Sequence, residues 1–169
     1  MWVHSTPSRG STFTFVIPTK PAERAAPLAV ATPPSALVPL RPLAILLVED
    51  NAVNQLLALR LLERRGHTVT TAGDGREGLD ALARSSFDVV LMDVQMPRVD
   101  GFEATAAIRA AERGTNRHQI IIAMTAHALK GDRERCRSAG MDGYLAKPIS
   151  AERLDGALAE LTGALPTVA

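Results

Sequence analysis

Three acidic residues, a threonine and a lysine in this 169-residue chain each stand directly after an apolar run, and their placement suggests chemistry. Asp93 ends the run Phe87-Asp88-Val89-Val90-Leu91-Met92, and Pro97, which cannot donate to a β-ladder, closes the stretch. Glu49 and Asp50 follow the apolar residues 43–48, Thr125 follows residues 119–124, and Lys147-Pro148 follow residues 143–146. Carboxylates gathered at one point repel one another. The arrangement becomes favourable around a hard divalent cation, and Mg2+ takes oxygen ligands, often one or two carboxylates completed by water and phosphate. A lysine beside the ion offers a positive point charge, and a threonine offers a hydroxyl, to phosphoryl oxygens. If these runs are neighbouring strands, the residues form a site for phosphoryl chemistry on a carboxylate, with Asp93 at its centre. Taken alone, an aspartate in Asp93's position is more often a strand-ending residue that caps the next turn. The other residues at strand ends weigh against that.

The elements that must position this site are legible as a repeat. Apolar runs at 43–48, 68–72, 87–92, 119–124 and 143–146 have the length and composition of strands. Helical spacing fills the intervals at 53–65, 75–84, 101–112, 128–138 and 151–161, and Gly66 ends the first. Strands this apolar need cover on both faces. Strand-helix alternation with right-handed crossovers therefore predicts an α/β fold, a doubly wound five-stranded parallel sheet with helices on both faces. In such sheets ligands sit beyond the carboxyl ends of the strands, where the polar residues lie.

The rest of the chain differs. Gly10-Ser11-Thr12-Phe13-Thr14-Phe15-Val16-Ile17-Pro18 alternates Phe13, Phe15 and Ile17 with smaller residues, which predicts a half-buried strand with nothing in this chain to pair with. Residues 18–42 carry seven of the eleven prolines, mixed with Ala, Thr and Ser, and read as a semi-rigid interdomain linker. A boundary is thus expected near residue 42. Charges nearly cancel, 19 basic against 18 acidic, so no footprint for nucleic acid stands out. The lone Cys136 excludes an internal disulfide and suits a reducing compartment. There is no apolar run long enough for a membrane span and no basic-then-apolar N-terminus, so neither direct membrane contact nor a signal peptide is expected.

Leu47-Val48-Glu49-Asp50-Asn51, Met92-Asp93-Val94-Gln95-Met96-Pro97 with Asp100-Gly101, Met124-Thr125-Ala126, and Lys147-Pro148-Ile149 together resemble the receiver domain of two-component response regulators. The likeness spans residues 43–162 and implies a flavodoxin-like (βα)5 sheet in strand order 2-1-3-4-5. It implies that Asp93 is the phosphoacceptor, and that Asp50, Asp93 and the backbone carbonyl of Gln95 bind Mg2+ directly, with Glu49 holding a metal-bound water. Thr125 and the amide of Ala126 would bind phosphoryl oxygens, Lys147 would bridge an acid to the phosphate, and a cis peptide would precede Pro148. Tyr144 matches the aromatic that moves inward when the threonine swings toward phosphate. Glu49 departs from the aspartate that many members carry. Glu49-Asp50-Asn51 with Asn54-Gln55, and Thr125-Ala126-His127-Ala128, look most like receivers fused to hybrid histidine kinases.

Gly10 to Phe15 with the following Pro18 looks like the last strand of a histidine-kinase ATP-binding domain. Together these imply a kinase remnant at 1–18, a linker at 19–42, the receiver at 43–162 and a tail at 163–169. The implied setting is a bacterial, cytoplasmic phosphorelay, and it leaves room for a membrane-anchored parent kinase. The implied partners are a histidine kinase's dimerisation and phosphoacceptor domain and a histidine phosphotransfer protein. The covered chain would catalyse at most its own phosphorylation and dephosphorylation. Three other readings stay open: a stand-alone regulator acting by contact, a receiver that regulates only its own kinase, and an aspartyl phosphatase, which would want a second acid at the position of Gln95. His67, His118 and His127 are expected to be structural, and Arg64-Arg65 with Arg133, Arg135 and Arg137 to be solvated helix faces.

Overall fold

A computed structural model of the chain describes residues 2–6, 10–14, 16, 41–126 and 130–163. The chain divides into two units, Met1–Ala36 and Leu37–Ala169. In the first, β1 (Trp2–Thr6) and β2 (Gly10–Thr14) form an antiparallel pair, with Val3 opposite Phe13 and His4 opposite Thr12. The expectation of an unpaired strand is corrected here: its partner is the segment Trp2–Thr6. That segment escapes notice because Trp-Val-His-Ser-Thr does not alternate, its two large apolar residues being adjacent. Trp2, Val3, Phe13 and Val16 are all exposed. Phe15, Ile17 and all of the expected linker except Arg41 and Pro42 lie outside the described residues.

The second unit holds β3 (Ala44–Val48), α1 (Ala52–Glu63), β4 (Thr68–Ala72), α2 (Gly75–Arg84), β5 (Val89–Asp93), α3 (Gly101–Glu112), β6 (Ile120–Thr125), α4 (Lys130–Ser138), β7 (Gly143–Ala146) and α5 (Ala151–Thr162). The five strands form one parallel sheet in the order β4-β3-β5-β6-β7, which is the expected 2-1-3-4-5. Alternation along each strand sorts the core onto two faces. Ile45, Leu47, Val89, Leu91, Ile122 and Met124 pack with Leu62, Leu154 and Leu158 under α1 and α5. Leu46, Val48, Val90, Met92, Ile121 and Ala123 pack on the other face with Ala104, Ile108 and Cys136 from α3 and α4. Buried on both faces over most of their length, β3, β5 and β6 make a rigid platform for whatever follows them.

Side-chain caps fix where the helices start. Asn51 accepts from the amides of Val53 and Asn54, Asp74 from that of Glu77, and Ser150 from that of Arg153. Asp100 and Glu103 make a reciprocal capping box, the kind of feature worth about 1 kcal/mol. Gly101 is there for space: a Cβ would sit 2.2 Å from the Asp93 carbonyl oxygen, so only glycine lets α3 begin against the end of β5.

Candidate functional site

Beyond the carboxyl ends of β3, β5, β6 and β7 the ladder continues into the segments that carry the polar residues. The Glu49 amide donates to the Ala72 carbonyl (3.1 Å), Val94 to Met124 (3.1 Å), and Lys147 to Thr125 (2.8 Å). Main chain bearing Glu49, Asp93 and Lys147 is therefore held by the sheet. The side chains of Glu49 and Asp93 are buried and that of Asp50 is exposed, and each offers an oxygen within 4.8 Å of the others.

Lys147 organises the buried pair. Its Nζ lies 2.6 Å from Glu49 Oε2 and 2.6 Å from Asp93 Oδ2, an ammonium placed between two carboxylates that would otherwise repel. Burial works against the charged lysine, but the hydrogen bonds to Asp93 and Glu49 outweigh it and hold its pKa above the ordinary value. The second oxygens are also engaged. Asp93 Oδ1 accepts from the Gln95 amide (3.1 Å), and Glu49 Oε1 accepts from Asn54 Nδ2 (3.0 Å). Lys147 thus joins two acids here, whereas the resemblance has it joining an acid to a phosphate.

The donor set suits a hard divalent cation. Three carboxylates with oxygens within 4.8 Å, one of them open to solvent, are the hard, anionic ligands that Mg2+ takes, and Lys147 supplies positive charge where the carboxylates alone would repel. Among the described residues, no other group of histidine, cysteine and acidic side chains comes together in this way.

Around this centre, Thr125 is half-buried at the edge of a cavity of about 340 Å3 that also touches Gln95, Phe102 and Cys136. Ala126 is exposed at the bend that follows, and His127 lies outside the described residues. The Lys147-Pro148 peptide is cis. Tyr144 does not line the cavity beside Thr125; it is half-buried in a groove between α4 and α5, with the Arg133 guanidinium 4.2 Å above its ring. Arg135 similarly lies 5.1 Å from the Phe102 ring, so two arginines of the expected solvated face, both exposed, also lie over aromatic rings.

Three contacts carry no signal in the sequence. Asn54 reaches Glu49 from the first turn of α1. Arg98, in the left-handed region at φ 68°, pairs with the buried Asp74 and ties the loop after Asp93 to the start of α2. Arg65, expected in solvent, bonds Asp155 at 2.5 Å with only 17% of its side chain exposed, linking α1 to α5. Each is a polar residue on a helix or loop, where periodicity cannot separate a solvated charge from a paired one.

The family model of the response regulator receiver domain matches residues 45–159, and the chain belongs to that family. Sensor histidine kinase AruS of Pseudomonas aeruginosa is 40% identical over 167 residues, 99% of this chain, and the chain spans 16% of that kinase's length. The receiver domain of sensor histidine kinase PA1611 from Pseudomonas aeruginosa, crystallised with a magnesium ion coordinated in its active-site cleft, is 43% identical with a TM-score of 0.65. That comparison covers 72% of this chain and 98% of the other. The receiver domain of the Saccharomyces cerevisiae response regulator Ssk1, solved with the histidine phosphotransfer protein Ypd1, is 27% identical with a TM-score of 0.69, covering 76% and 95%.

Proposed function

We propose that this receiver takes a phosphoryl group from a histidine of a kinase onto Asp93 with Mg2+ and passes it to a histidine phosphotransfer protein. The observation that carries the reading is Asp93 itself. It is buried at the end of the central strand, with Lys147 Nζ 2.6 Å from one oxygen and oxygens of Glu49 and Asp50 close by. An Asp93 carboxylate oxygen attacks the phosphorus of a phosphohistidine, the P–N bond breaks, and the imidazole leaves with the bonding pair and takes up a proton.

Asp50, Asp93 and the Gln95 carbonyl would hold the ion, with Glu49 reaching it through water. When bound, Mg2+ neutralises charge on the phosphoryl oxygens. Lys147 turns from Glu49 toward the phosphoryl group while keeping its place beside Asp93, and Thr125 and the Ala126 amide take the remaining oxygens. As Thr125 turns, Tyr144 follows it inward, giving the domain a two-state element.

The AruS alignment, which runs through the residues ahead of the receiver, supports a hybrid sensor kinase as the parent protein. In that setting 1–18 is the end of an ATP-binding domain, 19–42 a linker, 43–162 the receiver and 163–169 a tail, all in the cytoplasm of a bacterium. Among the described residues no helix is long and apolar enough to cross a membrane.

The surface for the phosphotransfer partner is the face of α1. Val53, Leu56 and Leu57 are 76%, 53% and 61% exposed, more apolar surface than a helix with one buried stripe presents. An apolar groove lined by Leu57, Leu61 and Ile149 runs from there to Glu49 and Lys147. Leu57→Glu should leave phosphorylation by acetyl phosphate intact and slow transfer to a cognate phosphotransfer domain by roughly tenfold or more, as loss of a central apolar contact does. If no phosphotransfer domain drains the label faster than spontaneous hydrolysis, while the parent kinase's activity depends on Asp93, the autoregulatory reading replaces the relay.

A further inference from the structure

We infer that Asn54 is a positioning residue for the metal site, one that acts through Glu49 and so sets how tightly the receiver binds Mg2+. The inference rests on the receiver reading of the acidic cluster. Glu49 has one more rotatable bond than an aspartate at its place, and a carboxylate serving a metal-bound water must be held in one orientation. Its two oxygens are held by different partners: Oε2 lies 2.6 Å from Lys147 Nζ, and Oε1 accepts from Asn54 Nδ2 at 3.0 Å. Lys147 also binds Asp93 and, in the proposed reaction, turns from Glu49 toward a phosphoryl group. Once it does, Asn54 is the described side chain that still fixes the Glu49 carboxylate.

The backbone is fixed by the next residue. Gln55 Nε2 donates to the Glu49 carbonyl (3.0 Å) and to the Ala72 carbonyl (3.2 Å), bridging the ends of β3 and β4. Consecutive amides on the first turn of α1 therefore clamp one residue, Asn54 its carboxylate and Gln55 its main chain. Asn51 makes this possible by capping α1 through the amides of Val53 and Asn54, which anchors the turn over the strand end. A neutral amide suits the role, because it fixes an oxygen without adding a charge that would compete with the cation.

The test is the Mg2+ dissociation constant by isothermal titration calorimetry, for the full chain carrying Asn54→Ala, Glu49→Asp or both, with the melting temperature of each followed in parallel. Asn54 is solvent-exposed on a helix, and alanine is a good helix former, so Asn54→Ala folds. Its Mg2+ dissociation constant should rise by roughly threefold to tenfold, at or below the usual range for an outer-shell partner because Glu49 acts through water. In the Glu49→Asp background, where the shorter side chain no longer reaches Asn54, the same substitution should add nothing. An unchanged or tighter constant in Asn54→Ala, or full additivity in the double variant, overturns the positioning role. Absence of saturable Mg2+ binding by the unsubstituted chain removes the metal reading, and the inference with it.

Discussion

At the residue scale, Lys147 does two things that its sequence position alone does not separate. It stands as the counter-charge to Glu49 and Asp93, and it is the cation nearest the oxygen that would receive a phosphoryl group. Lys147→Met keeps the length and removes the charge, leaving two buried carboxylates facing each other. Breaking a buried pair in this way costs about 3 kcal/mol. Denaturant unfolding of the variant in chelator should show a loss of that order, and added Mg2+ should restore more stability to the variant than to the unsubstituted chain. Equal stability and an equal Mg2+ response in the two proteins would contradict the counter-charge role. Asp93, Glu49 and Lys147 were legible in the sequence because each follows an apolar run whose end fixes its location. Asn54, Arg98 and Arg65 were not, because a polar side chain on an exposed helix turn has the same sequence signature whether it meets water or a partner.

At the element scale, the junction of β3, α1, β4 and α5 holds a titrating group. His67 is buried at the start of β4, and its Nδ1 accepts the Leu43 amide (3.2 Å), so the neutral ring carries its proton on Nε2. Burial lowers its pKa below the ordinary 6.5, Asp155 on α5 opposes that shift, and Arg65 at the end of α1 adds to it. A histidine with a depressed folded pKa is protonated first in the unfolded chain. Its contribution is therefore intact above about pH 6.5 and is lost progressively as pH falls from there toward the folded pKa. Urea unfolding should accordingly show lower stability at pH 5.5 than at pH 7.5, and His67→Asn should flatten part of that slope; an unchanged slope in the variant would remove His67 as its source. The strands and helices of this unit were readable within a residue or two from apolar runs and glycines. The β1–β2 pairing was not, since Trp2–Thr6 carries no period-two pattern and a two-stranded ribbon leaves both faces open.

At the scale of the whole molecule, the receiver should stand without what precedes it. A lone two-stranded hairpin is marginal in water, and the described link from residues 41–42 to the sheet is an exposed ion pair between Arg41 and Asp88 at 2.9 Å. Removing residues 1–42 forfeits that pair, worth about 0.5 kcal/mol, and should lower the melting temperature by only about 2 °C. A drop several times larger would mean that the N-terminal residues are part of the receiver's fold. The proposed function turns on one covalent event at Asp93, and intact-protein mass measurement after incubation with acetyl phosphate reads it directly. A single added phosphoryl group is expected, one that requires Mg2+, is released by hydroxylamine and is absent from Asp93→Asn. Phosphorylation that persists in Asp93→Asn, or that proceeds equally in chelator, would contradict it.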